Sequence, residues 1–241
     1  MKTILVVGAS GATGRLLLKQ LLDKGLKVKV IVRQPNLLPD DIKHHANLSE
    51  IHASVHELTD AEMALHVTGC DAVASCLGHN LTFKGMFGQP RLLVTDTVRR
   101  LCRAVQANHP EKMVKFILMN TTGNRNRDIP EQVSFGQACV ISLLRLLLPP
   151  HLDNEKAADY LRTQVGQHNE AIEWVTVRPD SLTNADAVTE YEVHPSPVRS
   201  AIFDAGSTSR INVGHFMAEL VVDDDLWNRW KGQMPVIYNK E

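Results

Sequence analysis

Residues 6–15 read VVGASGATGR and place glycines at positions 8, 11 and 14. The loop joins residues 3–8, an apolar run typical of a parallel strand covered on both faces, to residues 12–25, whose periodicity predicts a helix ending at Gly25. Such glycines permit tight turns and let a phosphate group approach the backbone, and the helix N-terminus offers N–H groups and a positive dipole end. The strand–loop–helix context favours a nucleotide-binding loop over a purely structural turn.

Strand and helix patterns alternate along the rest of the 241-residue chain. Further strands are predicted at 27–33, 71–78, 115–120, 173–179 and 234–238, and helices at 91–108 and around 213–222. These βαβ units predict an α/β fold of the Rossmann type, with a doubly wound parallel sheet. We expect a single NAD(P)-binding domain over residues 1–241, with small C-terminal elements on the substrate side.

Four polar stretches are interpreted as loops, at 34–47, 79–90, 123–133 and 183–210. Each follows a predicted strand. Because ligands bind beyond the carboxyl ends of the strands in an open α/β sheet, all four are candidates for lining a site.

Composition argues against several classes of protein. The formal net charge is −1 and no basic block occurs, which disfavours a partner that is nucleic acid or a membrane surface. No run reaches the ~20 apolar residues of a membrane span. The most apolar segment, 140–150, carries Arg145 and ends in two prolines. We expect it to pack in the core or against another helix. The alternative is that it forms a wall over a substrate pocket or a dimer face. The sequence does not distinguish between a monomer and a homodimer.

The four cysteines form no C-x-x-C pair and no disulfide framework, so free thiols in a reducing cytoplasm are expected. His52 and His56 are four residues apart in a predicted strand and turn, too far apart to share a metal ion without other ligands. No metal site is therefore expected.

Arg33 stands at the end of the second predicted strand, where NAD-binding proteins carry an acid that holds the ribose 2′-hydroxyl. A guanidinium at this place suits a 2′-phosphate instead. The sequence therefore predicts NADP(H) rather than NAD(H), the alternative being a solvated surface charge.

Several segments together resemble one family: GASGATGR (8–15), VRQP (32–35), HELTD (56–60), GCDAVASCLG (69–78), MNTTGN (119–124), and DNEKAADYLR (153–162) followed by IEWVTVRPDSLTN (172–184). They are similar to the NAD(P)H-binding, NmrA-like group of atypical short-chain dehydrogenases/reductases, which includes biliverdin-IXβ/flavin reductase. The resemblance spans nearly the whole chain and implies the roles that follow.

The implied cofactor-binding residues fall into four sets. Those of the phosphate loop are Gly8, Ser10, Gly11, Thr13, Gly14 and Arg15. Arg33 would hold the 2′-phosphate, and Leu58 would lie near the adenine. Cys76, Leu77 and Gly78 would line the nicotinamide ribose, and Pro179 would flank the nicotinamide.

The usual Y-x-x-x-K pair, in which tyrosine donates a proton and lysine lowers its pKa, is absent. Lys156 lies on the matching helix, but Leu152 precedes it by four residues and Tyr160 follows it by four. The remaining catalytic candidates are Thr121 and Thr122, expected beside the nicotinamide, and Asn154 and Lys156.

Three of these candidates have a structural alternative. Asn154 shares an apolar, inward-facing side of its helix with Ala158, Leu161 and Val165 and so could meet the site. The alternative is that it caps the helix or hydrogen-bonds near the helix start. Lys156 is otherwise a solvated charge, and Thr122 a hydroxyl in the turn after a strand.

Two functions follow as expectations. The first is an NADPH-dependent reductase acting on a small flavin-, quinone- or carbonyl-type acceptor, in which the cofactor carries the hydride chemistry. The second is a regulatory protein that senses NADP(H) without chemistry, because fold alone does not decide activity. A sugar-nucleotide isomerase or epimerase is a weaker third.

Overall fold

The structure is a computed structural model that describes residues 1–34, 37–79, 82 and 88–240. Its strands are β1 (Thr3–Val7), β2 (Lys27–Val32), β3 (Leu48–His52), β4 (Ala72–Ser75), β5 (Val114–Met119), β6 (Ile172–Pro179), β7 (Ser181–Thr183), β8 (Tyr191–His194), β9 (Ser207–Ser209) and β10 (Val236–Asn239). Its helices are α1 (Gly14–Asp23), α2 (Asp40–Lys43), α3 (Asp60–Val67), α4 (Leu93–Ala107), α5 (Phe135–Leu147), α6 (Pro149–Tyr160), α7 (Arg210–Val222) and α8 (Asp224–Trp230). A π-helical turn, Leu161–Val165, continues α6.

Eight of these strands form one sheet in the order β3-β2-β1-β4-β5-β6-β10-β8. Neighbouring strands are parallel throughout, except that β8 runs antiparallel to β10 at the edge. The chain reverses its direction of winding between β1 and β4, which is where ligands bind in open α/β sheets. The Rossmann-type, doubly wound sheet predicted from the sequence is confirmed.

Both faces of the sheet are covered by helices. Ile4 and Val6 of β1 pack into the core beneath α1 and α7, whereas Leu5 and Val7 pack into the core beneath α3, α4 and α6. Successive side chains of a strand point to opposite faces, so a strand covered twice must be apolar at every position. This is why residues 4–7 form an unbroken apolar run.

Two predicted loops contain regular structure. The stretch 34–47 includes α2, and the stretch 183–210 includes β8 and β9. The strand β8 is four residues long and pairs with β10, which is distant in sequence, so no local pattern predicts it. The strand β9 pairs with β7 in a small second sheet, which forms the expected C-terminal elements. Of the stretch 79–90, residues 80–81 and 83–87 lie outside the described residues.

Among the described residues, no single helix is long and apolar enough to cross a membrane. Only α5 and α6 taken together reach the required length and composition, and they are bent by 104° relative to each other.

Candidate functional site

A cavity of about 370 Å³ lies beyond the carboxyl ends of β1, β2 and β4. It is therefore at the place where the winding of the sheet reverses. The residues around it are Ser10, Ile31, Val32, Arg33, Ala53, Ser54, Val55, His56, Glu57, Leu77, Gly78, His79, Gln89, Pro90 and Leu93. Four of the sequence-predicted cofactor residues, Ser10, Arg33, Leu77 and Gly78, are among them.

The glycine loop brings three backbone segments into close contact. Gly8 has φ +78°, and a Cβ on it would lie 2.6 Å from the carbonyl carbon of Cys76. A Cβ on Gly14 would lie 2.0 Å from the carbonyl oxygen of Gly8. These two glycines allow β1, the end of β4 and the first turn of α1 to approach one another, and no larger residue fits without a shift of the backbone.

The N-terminus of α1 is open toward the loop. Thr13 occupies the N-cap position, but its side chain makes no capping hydrogen bond. Within the described residues the backbone N–H groups of Ala12, Thr13 and Gly14 have no hydrogen-bond partner. By contrast, Thr59 caps α3 with a full capping box. Unpaired N–H groups at a helix N-terminus form an anion-binding site.

Arg33 lies directly after β2, exposed, on the wall of the cavity. It forms no ion pair with any residue in the described ranges. Its free guanidinium is thus placed to pair with an anionic ligand. Arg15 is also exposed, in the first turn of α1, but it is not part of the cavity wall.

Leu58 is not in the cavity wall; it packs against the core beneath α3 and α4. Its carbonyl oxygen accepts a hydrogen bond from Arg100, which holds the segment against α4. The neighbouring residues Val55, His56 and Glu57 face the cavity instead. The segment that the resemblance implied near the adenine thus adjoins the cavity, and the turn over residues 54–58 decides which of its side chains reach the cavity.

Cys76 is a packing residue beside this site. Its thiol lies 3.9 Å from the sulfur of Met217 in α7. Burial raises the pKa of Cys76 to about 12. A thiol that stays protonated is a poor nucleophile, so the chemical contribution of this position is limited to its backbone and its shape.

Polar groups at the ends of β5 and β6 form a second cluster. Asn120 donates a hydrogen bond to the carbonyl oxygen of Asn154 at 2.9 Å, and its side-chain oxygen accepts one from the Thr121 backbone. The backbone N–H of Thr122 donates to the carbonyl oxygen of Pro179 at 3.1 Å. This network brings four of the predicted residues to one place: Thr121, Thr122, Asn154 and Pro179.

Thr122 is buried and linked to Asp180. Its hydroxyl group lies near enough to the Asp180 carboxylate to lower the pKa of that group, and the carboxylate accepts hydrogen bonds from the backbone of Ser181 and Gly206. Burial raises the pKa of Asp180, although these hydrogen bonds oppose the change. Thr122 therefore has a clear structural contact, whereas Thr121 is only half-buried.

The two catalytic candidates on α6, Asn154 and Lys156, differ in their exposure and contacts. Asn154 is half-buried and its carbonyl oxygen joins the Asn120 network, but it does not cap the helix, because α6 begins with Leu148 as N-cap followed by two prolines. Lys156 is exposed, and no contact joins it to the threonines within the described residues. Tyr160 packs under Arg99 of α4, 5.6 Å from the guanidinium carbon to the ring centre, and burial raises its pKa.

His151 belongs to this cluster and was missed by the sequence analysis. A Cβ on Gly123 would lie 3.2 Å from Cε1 of His151 and 3.7 Å from Oγ1 of Thr121, so the two side chains flank Gly123. His151 Nε2 is 3.6 Å from Oε1 of Glu155, which also binds Arg145 of α5. Burial raises the pKa of Glu155, but the nearby His151 ring and the hydrogen bonds and charge of Arg145 outweigh it and hold the pKa at about 2.

The arginine of the VRP segment has a structural role. Arg178 is fully buried in β6 and pairs with the buried Glu131 at 2.6 Å. It also donates to the carbonyl oxygens of Asn124 and Met234, both at 2.7 Å. This buried pair ties the loop at 123–133, which carries part of the site, to β6 and β10.

A second buried acid supports the cavity wall. Asp153 of α6 accepts hydrogen bonds from the backbone of Val94 at 2.8 Å and of Thr95 at 2.9 Å, and so caps α4 from outside that helix. His79, in the cavity wall, lies 2.7 Å from the same carboxylate. Asp153 therefore links α6, α4 and the segment after β4.

The histidine pair singled out in the sequence is His52 and His56, which lie at and beyond the end of β3. His52 is exposed at the end of β3, and His56 lies beyond it in the cavity wall. No group of three or more histidine, cysteine or acidic side chains that could hold a metal ion occurs among the described residues.

Comparison with known proteins agrees with this geometry. The sequence matches the NAD(P)H-binding family over residues 8–224. No curated protein was matched by sequence.

Several solved structures share the fold. The oxidoreductase ylbE from Lactococcus lactis has 21% sequence identity and a TM-score of 0.70, over 99% of this chain and 91% of that one. A short-chain dehydrogenase/reductase from Veillonella parvula in complex with NADP has 16% identity and a TM-score of 0.69, over 99% and 94%. A candidate NADH-flavin reductase from Streptococcus pneumoniae has 17% identity and a TM-score of 0.65, over 100% of both chains.

At such identities the structural likeness shows the fold alone, whereas the family match covers most of the sequence, including the glycine loop and the segments after β5 and β6. The open helix N-terminus, the glycine contacts and the cavity at the reversal of winding are what a dinucleotide site requires. The protein is therefore a member of the NAD(P)H-binding family.

Proposed function

We propose that the protein is an NADPH-dependent reductase that passes a hydride to a small conjugated, flavin-, quinone- or carbonyl-type acceptor. The observation that carries the proposal is that two anion-binding features adjoin one cavity: the glycine loop before the open N-terminus of α1, which reaches the cavity through Ser10, and the unpaired Arg33. The first suits a pyrophosphate and the second a 2′-phosphate. When bound, NADPH supplies the hydride.

The phosphate loop and Arg33 account for binding of the cofactor. Gly8 and Gly14 leave space for the pyrophosphate to approach the backbone closely. Ser10 and Thr13 add hydroxyl groups beside the unpaired N–H groups of the helix N-terminus. The wall over residues 53–57 faces the same cavity and would surround the adenosine portion. These residues bind and orient; none of them takes part in bond making.

The cluster after β5 is the place for the acceptor. Thr121 and His151 flank Gly123, and both side chains can donate a proton or a hydrogen bond. We assign proton donation to His151, because its ring is held beside an ionised Glu155 and because Lys156 and Tyr160 lie elsewhere on the helix. Conjugated acceptors suit such a site, since orientation and exclusion of water carry much of the catalysis.

Replacing Arg33 by alanine is expected to raise the Kd of NADPH by roughly 10- to 100-fold, the effect of losing a charge-assisted hydrogen bond. The Kd of NADH should change less than twofold, because NADH has no 2′-phosphate. Titration of both cofactors by fluorescence measures the effect, with Arg229→Ala, an exposed arginine on α8, as the matched control. An unchanged NADPH-to-NADH ratio in Arg33→Ala would refute the assignment to NADPH.

Replacing His151 by glutamine is expected to lower kcat with the best acceptor by on the order of 100-fold, which is typical of losing a general acid. The Kd of NADPH should not change, since His151 lies outside the cofactor cavity. Steady-state kinetics together with the titration separate the two quantities. His168→Gln, at an exposed loop position, is the control for losing any histidine. An unchanged kcat in His151→Gln would show that His151 does not donate the proton.

The decisive experiment is stopped-flow oxidation of NADPH by the purified protein with FMN, then with quinones and conjugated carbonyl compounds. Turnover with at least one acceptor supports the reductase. Tight NADPH binding without turnover on any of them overturns it in favour of the regulatory alternative.

That alternative, a non-catalytic sensor of NADP(H) of the NmrA-like kind, is favoured by one observation: Lys156, on the helix where the usual dyad would lie, is exposed, and no contact joins it to Thr121 or Thr122 in the described part of the chain. Such a protein would change its affinity for a partner when the cofactor binds. Its signature is a change in partner binding without consumption of NADPH.

A further inference from the structure

The helix α5 carries an apolar face that nothing covers within the described structure. Phe135 is 86% exposed and Leu146 is 80% exposed, and Leu143 and Leu147 are each 54% exposed. With Ala138, Cys139 and Ser142 these residues recur every three or four positions, so they form one stripe along the helix. The inward-facing side of α5 buries only Gln137 and Ile141.

The stripe extends beyond the helix. Phe203 is 64% exposed, and its ring lies 3.4 Å from the position that a Cβ on Gly136 would take. Ser200, in the same segment, donates a hydrogen bond to the side chain of Gln137 at 2.9 Å. The α5 face therefore comprises the exposed residues of the helix together with Phe203.

The exposed apolar area matches what a dimer of this size needs. Taking roughly 200 Å² for a whole large side chain, the five large side chains of the face expose on the order of 700 Å². A stable interface buries about 800 Å² on each partner, whereas the largest apolar patch of an ordinary monomer is about 300–600 Å². Single exposed leucines need no explanation, but a contiguous face of this area does.

The charges around the face favour a second copy of the chain over a membrane. The only charged side chain of α5, Arg145, is turned toward Glu155 at 2.7 Å, so the exposed stripe carries no charge. Helices that lie on membranes carry lysine and arginine beside the apolar face. Near Phe203, Arg199 and Asp204 form an ion pair at 3.0 Å, so their opposite charges cancel at the edge of the face. Two identical uncharged faces meet without repulsion.

We propose that two copies of the chain associate through the α5 face, with the two α5 helices packed antiparallel across a two-fold axis. An isologous interface of this kind buries the same patch on both copies. The axis passes near Ser142, close to the middle of the helix, and brings Cys139 of one copy near the stripe of the other. The ion pair between Arg145 and Glu155 connects this interface to the cluster that contains His151.

Light scattering coupled to size-exclusion chromatography tests the proposal on the whole chain. The unmodified protein is expected to be a dimer at micromolar concentration. Leu146→Glu is expected to be monomeric, because it places two charges in the interface. Leu65→Glu is the matched control: Leu65 is 68% exposed on α3, outside the α5 face, and its variant should stay dimeric.

Crosslinking tests the geometry without any change that affects folding. Cys139 is exposed, whereas Cys70 and Cys102 are buried and Cys76 is half-buried, so a flexible bis-maleimide should link two chains through Cys139. Cys139→Ser should abolish the linked dimer.

Three results would overturn the proposal. The first is a monomeric unmodified protein at 100 μM that yields no crosslink. The second is a Leu146→Glu protein that stays dimeric. The third is a monomer that floats with phosphatidylcholine vesicles, which would show that the face binds a lipid surface. None of these readouts depends on NADPH oxidation, so failure of the reductase proposal leaves the test intact.

Discussion

Replacing Glu131 by alanine is expected to lower the free energy of unfolding by about 3–5 kcal/mol, the cost of leaving one partner of a buried ion pair without the other. Arg178 is fully buried and cannot move to solvent. Its remaining contacts, to the carbonyl oxygens of Asn124, Met234 and Pro195, do not neutralise the guanidinium. The loop at 123–133 also loses the hydrogen bond from the Asn126 backbone to the Glu131 carboxylate.

Urea denaturation followed by circular dichroism measures this loss. Glu190→Ala is the matched control, since Glu190 pairs with Lys240 while its side chain is 80% exposed. Exposed pairs contribute little, so that variant should change the free energy by less than about 1 kcal/mol. A second variant, Glu131→Leu with Arg178→Met, removes both charges and should recover much of the loss. Equal, small effects in Glu131→Ala and Glu190→Ala would show that the buried pair does not hold the loop.

Replacing Gly8 by alanine is expected to cost roughly 2–5 kcal/mol, from a left-handed backbone that disfavours a Cβ and from overpacking against the end of β4. The new Cβ would lie 2.6–2.7 Å from backbone atoms of Cys76 and Leu77. These backbone atoms cannot move away from the new Cβ as the end of a flexible side chain could. The loop must therefore shift, and the Kd of NADPH should rise by at least about tenfold, the equivalent of 1.4 kcal/mol.

Gly25 offers a matched control within the same chain. Its φ of +74° is close to the +78° of Gly8, but a Cβ on it would meet nothing within 4 Å. Gly25→Ala should therefore cost only the backbone strain, about 1–2 kcal/mol, and leave cofactor binding unchanged. Thermal denaturation and NADPH titration of both variants separate strain from contact. If the two variants were equally stable and bound NADPH equally well, the close approach of β1 to β4 would not govern the site.

Features that depend on neighbouring residues in the chain were predictable from the sequence. The alternation of apolar strands and amphipathic helices predicted the doubly wound sheet, because period and burial follow from local pattern. The glycine loop and Arg33 were recognisable because the strand, turn and helix that carry them are consecutive. The roles of these residues in binding stay predictions until the titrations are made.

Features that depend on contacts between distant segments were not predictable. The strand β8 pairs with β10, and its four residues carry no pattern of their own. Leu58 was expected near the adenine, but the turn before α3 directs Val55, His56 and Glu57 to the cavity. His151 is one histidine among 11 in the sequence, and only the packing of α6 against the turn after β5 sets it beside Thr121.

The sequence by itself determined the fold class and the position of the glycine loop, since both rest on local periodicity and on glycines whose spacing is visible in one short stretch. The tertiary structure alone decided that Arg178 is a buried partner of Glu131, that Asp153 caps α4, and that α5 presents an uncovered apolar face. The physical reason is that burial and pairing are properties of the packed chain: the same arginine, aspartate or leucine is solvated or buried according to what other segments place around it.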